Sequence, residues 1–130
     1  EPGRRNGALV SINQGKATTY AIMGVEGRGT IFVDPGTEVY EGMIVGKSSR
    51  ERDISVNVTK GKNLTNVRAA AKDQTATIKT PEHLTLEESM EFLNEDELLE
   101  VTPNHLRLRK RILNTNAREK AAKRDKRAKQ

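Results

Sequence analysis

The sequence has 130 residues, 34% of them apolar and 3% aromatic, which is enough for one modest core and too little for two. Its formal net charge is +5 and it has no cysteine, which excludes a disulfide framework or a thiolate metal site and points to a reducing, cytoplasmic setting. No apolar run approaches the length of a membrane span and no charged-then-apolar leader opens the chain, so no membrane partner is expected.

In chain order, ALVSI (8–12) and KATTYAIM (16–23) read as short β-branched strands around the turn Asn13-Gln14-Gly15. GTIFV (29–33) follows a glycine-rich connection, and Asp34-Pro35-Gly36 is a strong turn signal. EVY (38–40) and MIVGK (43–47) continue the pattern. DISVNV (53–58) alternates Ile54, Val56 and Val58 against polar neighbours, as a half-buried strand does, and QTATIK (74–79) is a further strand candidate. After Pro81 the period changes. Thr85 and Glu88 fit a capping box at the start of a short helix whose Leu86, Met90 and Leu93 share one face. LLEVT (98–102) and HLRLRKRIL (105–113) form a predicted hairpin, with Leu106 and Leu108 inward and Arg107 and Arg109 outward. The last stretch, NTNAREKAAKRDKRAKQ, has no apolar stripe to dock it and is either a solvated helix or a segment ordered only by an acidic partner. The predicted class is α+β, mostly β: a small antiparallel sheet or barrel-like domain over residues 1–113 with one or two short helices, and a basic tail over 114–130.

The modest total charge hides a strong asymmetry. Residues 1–81 carry a net +4, residues 82–104 a net −8, and residues 105–130 a net +9. A basic end beside an acidic stretch suits a nucleic-acid partner with an internal counterweight.

EGMIVGKS (41–48) comes within one position of the phosphate-loop pattern G-x-x-x-x-G-K-[ST], with Glu41 in place of the first glycine. A phosphate loop must follow a strand and open a helix. Here Met43-Ile44-Val45 is itself the apolar strand, and the polar turn SSRERD follows, so a strand with its exit turn is expected. His83 and His105 are the only histidines and lie in different predicted elements. The carboxylates between 87 and 97 fit a solvent-facing helix surface, so neither group supports catalysis. The N-x-[ST] sequons at Asn57 and Asn63 read as coincidence without a secretory context.

TKGKNLTNVRAAAKD (59–73) is more informative. It is a long basic loop between two predicted strands, and such loops in compact domains usually carry function. Lys60, Lys62, Arg68 and Lys72 suit phosphates, while Asn63 and Asn66 can address a base edge or a 2′-hydroxyl. A second cationic cluster, Arg107, Arg109, Lys110 and Arg111, lies on the predicted hairpin; facing the acidic stretch is its alternative use. Without stacking aromatics, structured RNA read by shape and backbone fits better than single strands.

Together GRRNGALVS, QGKATTYAI, FVDPGTEVYEGMIVG, GKNLTNVRAAAKD and LTLEESMEFLNEDELLEVTPNHLRLRKRIL closely resemble the C-terminal domain of the TypA/BipA family of bacterial translational GTPases, over about residues 2–113. The resemblance implies a mostly β domain that helps dock the factor in the ribosomal A-site region. It implies a loop, matched here by residues 60–73, that reaches toward 23S rRNA and the acceptor end of A-site tRNA. The contact residues it implies are Lys60, Lys62, Asn63, Asn66, Arg68 and Lys72. The resemblance also implies links to large-subunit assembly and to growth under stress. Because the chain begins at Glu1 without a Met, it is read as a fragment whose GTPase domain, with its GTP and magnesium, lies upstream. On that reading the fragment is a cofactor-free, non-enzymatic monomer, whose partners are the ribosome and the other domains of the parent. Two alternatives remain open from the residues: a free-standing rRNA-binding assembly protein, and a dimerisation domain in which the basic strand of one copy meets the acidic helix of another.

Overall fold

The computed structural model describes residues 6–61 and 78–128. The frame is a four-stranded sheet of β1 (Ala8–Ser11), β3 (Gly29–Ile31), β5 (Ile44–Ser48) and β6 (Ile54–Val56), in the order β3-β5-β1-β6. β5 runs antiparallel to both β1 and β3, whereas β6 runs parallel to β1. A two-residue ribbon joins β2 (Gly15–Lys16) to β4 (Glu38–Val39), and β7 (Glu97–Val101) forms a hairpin with β8 (Leu106–Lys110). The mostly β, α+β class follows, with one parallel pairing that the turn pattern did not announce.

Every residue of β1 is buried because both faces of the sheet are covered. On one face Leu9, Val45, Val56 and Val58 pack with Ile22, Val25 and Ile31. On the other, Ala8, Val10 and Ile44 meet Phe92 and Leu108. Period-two alternation along β1 and β5 therefore sorts the side chains into two apolar layers rather than one core and one wet face.

The segment 16–23 corrects the strand expectation, because Thr19–Val25 is an α-helix, α1. Thr18 is its N-cap, its hydroxyl accepting from the Ala21 N–H at 3.0 Å. Ala21, Ile22 and Val25 turn one face to the sheet. The pair Thr18-Thr19 favours extended backbone by propensity, but as cap and first helical residue it costs the helix little, and core burial decides. A single 3₁₀ turn, Glu26–Arg28, then leads directly into β3.

The second helix, α2 (Leu86–Phe92), has the expected capping box: Glu88 N–H reaches the Thr85 hydroxyl at 3.1 Å, and Thr85 N–H reaches Glu88 Oε1 at 2.9 Å. Its inward face differs from the expectation. Leu86 and Met90 are 46% and 60% exposed, while Ser89 and Phe92 are buried. The Phe92 ring meets Phe32 edge-on at 5.4 Å, so the larger aromatic surface sets the helix rotation. The predicted strand at 74–79 falls mostly outside the described residues, and its described end, Ile78, packs against the first apolar layer. The tail forms a helix, α3 (Thr115–Ala128), so of the two expected states the helical one is observed.

Candidate nucleic-acid interface

Of the basic loop 59–73, only its first residues and the return beyond it are described. After β6 the chain is fixed through Val58, whose carbonyl accepts from Thr18 N–H at 2.8 Å. Asn57 Oδ1 then accepts from both the N–H and the hydroxyl of Thr59, each at 2.9 Å. The Thr18 hydroxyl, while capping α1, donates to the Lys60 carbonyl at 2.7 Å. At the return, Lys79 N–H donates to Glu26 Oε2 at 2.6 Å. Both flanks of residues 62–77 are thus bonded to the α1–3₁₀ unit. Residues 18 and 26 are about 12 Å apart at the helical rise per residue. Lys60 is exposed. Lys62, Asn63, Asn66, Arg68 and Lys72 lie outside the described residues.

The hairpin cluster is used differently along its length. Lys110 is 2% exposed and its ammonium lies 2.5 Å from Asp53, 2.7 Å from Glu97 and 2.9 Å from Asp96. Burial alone would push its pKa down. Hydrogen bonds to Asp53, Glu97 and Asp96, with the charge of Glu97, outweigh this and hold it above the ordinary lysine value. Lys110, expected among the candidate RNA contacts, thus has its charge enclosed by carboxylates of its own chain. Parity along the strand was the signal, since Lys110 shares the parity of buried Leu108; Leu106, expected inward on the same parity, is instead 41% exposed at the turn end of the hairpin. Asp53 also accepts from Ala8 N–H at 2.8 Å, so the ion cluster joins the hairpin to the central sheet.

Arg109 is outward and half-buried, as alternation predicts, but it is committed. Its guanidinium donates to the Lys110 carbonyl at 3.0 Å and the Arg111 carbonyl at 3.1 Å, and it meets Glu100 at 3.5 Å. Glu100 also accepts from the Tyr40 hydroxyl; burial first, then this carboxylate, pushes the phenol pKa up. Arg111 is exposed, with Nε on the Glu95 carbonyl at 2.7 Å. Arg107 is half-buried and makes no ion pair among the described residues.

Residues 41–48 do not fit a nucleotide. Ile44–Ser48 is β5, its backbone engaged with β1 and β3, so no run of free N–H groups faces a phosphate. The two glycines of the motif serve packing. Gly42 has φ +93° and a Cβ there would sit 2.7 Å from Leu113 Cα; at Gly46 it would sit 2.4 Å from the Thr30 carbonyl oxygen. Glu41, the residue that breaks the motif, accepts from Thr115 N–H at 2.8 Å and so holds the start of α3. Arg118 completes that junction by donating to the Leu113 and Ile112 carbonyls at 2.6 and 3.1 Å.

The histidines are closer in space than in sequence. His83 Nε2 lies 3.0 Å from Asp34, and both His83 and His105 line an open cleft of about 370 Å³ with Phe32, Leu84 and Arg107. Among the described residues no group of three His, Asp or Glu side chains could hold a metal ion. No helix among them is long and apolar enough to cross a membrane.

Residues 6–115 match the family described as the TypA/BipA C-terminal domain. The chain is 64% identical over 126 residues to the large ribosomal subunit assembly factor BipA of Bacillus subtilis, covering 97% of this chain and 21% of that protein. It is 48% identical over 118 residues to the large ribosomal subunit assembly factor BipA of Escherichia coli K12, covering 91% of this chain and 19% of that protein. The Haemophilus influenzae protein of the same name is 47% identical over 118 residues, again covering 91% and 19%. The chain therefore spans about a fifth of the length of these curated relatives. By this match and these identities, the chain belongs to the TypA/BipA family, as its C-terminal domain.

Proposed function

We propose that this domain is the ribosome-docking module of a translational GTPase and takes no part in GTP chemistry itself. The observation that supports this reading best is the pair of bonds Thr18–Lys60 and Glu26–Lys79, which fix both flanks of the basic segment to one rigid helical unit. Flanks bonded in this way root the segment at a defined place on the domain, as electrostatic docking with shape recognition requires. Lys60, Lys62, Asn63, Asn66, Arg68 and Lys72 are the contact set, with 23S rRNA and the acceptor end of an A-site tRNA as the ligands. Arg107 and Arg111 remain as secondary contacts on the hairpin. The names of the relatives, large ribosomal subunit assembly factors, support a ribosomal partner. On this reading GTP and magnesium are bound by another domain of the parent, and the paired strand Ile44–Ser48 takes no part in holding them.

Neutralising about six phosphates makes affinity fall by roughly three decades or more between 50 and 200 mM salt. Co-sedimentation with large ribosomal subunits tests the reading. Replacing Lys60, Lys62, Arg68 and Lys72 by Ala together is expected to abolish association at physiological salt. Unchanged association by that variant would remove the loop from the function.

A further inference from the structure

One cationic surface among the described residues is hidden by sequence spacing. Arg28 ends the 3₁₀ turn, while Arg50 and Arg52 follow β5, more than twenty residues later. The β3–β5 pairing brings them together: Gly29 is in register with Ser48, and Ser49 N–H donates to the Arg28 carbonyl at 2.8 Å. Gly27, Arg28, Ser49, Arg50, Arg52 and Ile54 line a cleft of about 440 Å³ at this end of the sheet. All three arginines are exposed. Among the described residues none of them pairs with a carboxylate. Glu51, between Arg50 and Arg52 in sequence, is exposed and is not part of the cleft lining.

The local backbone is firmly held, so the arginines project from a fixed rim. Arg50 N–H donates to Ser48 Oγ at 3.0 Å, and the Arg50 carbonyl accepts from Gly7 N–H at 2.9 Å. The position also matters. Glu26, in the same 3₁₀ turn as Arg28, receives Lys79 at the return of the basic segment. The cleft and the return flank of the proposed RNA-contacting loop thus share one 3₁₀ turn, and exposed Lys79 lies at that flank.

We infer that the Arg28–Arg50–Arg52 cleft is a second RNA site, which grips backbone phosphates of structured RNA beside the loop. The inference rests on the ribosome-docking reading and extends it to a separate face. Three guanidiniums around one concavity, with no carboxylate among its described lining residues, match phosphate oxygens by planar, two-pronged hydrogen bonding. Among its described lining residues the cleft has no aromatic platform, so it reads backbone and not bases.

The test is the salt dependence of binding of the full chain to large-subunit ribosomal RNA. Each phosphate contact contributes about 0.7–0.9 to the slope of log affinity against log salt. The triple variant R28Q/R50Q/R52Q is expected to lower that slope by about two to three, while R28K/R50K/R52K keeps it. Thermal unfolding checks that both variants are folded, as expected for exposed side chains. An unchanged slope in the glutamine variant, with the loop variant defective, would overturn this site and leave the loop reading standing. Failure of the wild-type chain to bind RNA would overturn both. Equal competition by polyglutamate would overturn the assignment to RNA phosphates in favour of an acidic protein.

Discussion

The β7–β8 hairpin and the 3₁₀ end of the main sheet are both rich in cations, but the hairpin commits two of its four, Arg109 and Lys110, to its own chain. On the hairpin, Lys110 is surrounded by Asp53, Asp96 and Glu97, and Arg109 is engaged by two carbonyls and Glu100. At the sheet end, Arg28, Arg50 and Arg52 face solvent with no carboxylate partner among the described residues. A run such as RLRKR reads as a binding strip in sequence, yet its charge is partly consumed in joining the acidic stretch to the sheet. Dispersed arginines become a patch only when strand pairing gathers them. Local charge density is thus a poor guide to available charge, because a buried ion cluster and a binding site draw on the same residue types.

The sharpest way to break this comparison is at Lys110. Removing the ammonium leaves Glu97, whose side chain has no exposure, beside Asp53 and Asp96 without compensation. K110M is expected to lose about 3–5 kcal/mol of stability in denaturant unfolding, and K110M/E97L to regain a large part of it. If K110M were neutral to stability but weakened RNA binding, the hairpin would be an interface and not a strut. Because its folded-state pKa is raised, the Lys110 contribution is fully present below the unfolded value, about 10.4, and is lost only as pH rises through the folded one.

A smaller effect is expected where the tail joins the domain. Glu41 is held below the usual carboxylate range, first by the Thr115 N–H, then by the Thr115 hydroxyl, with Arg118 adding to it. The sign is the reverse of Lys110: its support for α3 is complete above the unfolded pKa, about 4.3, and lost as pH falls through the lower folded value. E41Q is expected to remove that pH dependence from the circular-dichroism signal of the tail. An unaltered acid transition in E41Q would assign it to other carboxylates.

Much of the fold was legible. The strands at 8–12, 29–33, 43–47 and 53–58 follow apolar runs bounded by turns, and the Thr85–Glu88 box marks its helix by side-chain chemistry alone. The failures have physical causes. Thr18 and Thr19 read as strand because an N-cap and a β-branched run share the same letters, and only packing of Ile22 and Val25 against the sheet selects the helix. Met90 has the right spacing for the buried face of α2, but Phe92 offers more surface to bury. At the candidate site, the loop was visible as a contiguous basic string. The enclosure of Lys110 was not visible because its three carboxylates come from Asp53, from Asp96 just before β7 and from Glu97 at its start, and the arginine cleft was missed because it requires the β3–β5 register.

On the proposed ribosome-docking reading, available charge and not local charge density decides where the domain would meet RNA. This is tested most directly by measuring, side by side, the salt slope of large-subunit binding for R109Q and for R28Q/R50Q/R52Q. The account predicts a wild-type slope for R109Q and a slope lower by about two to three for the cleft variant. A reduced slope for R109Q with a wild-type slope for the cleft variant would contradict it.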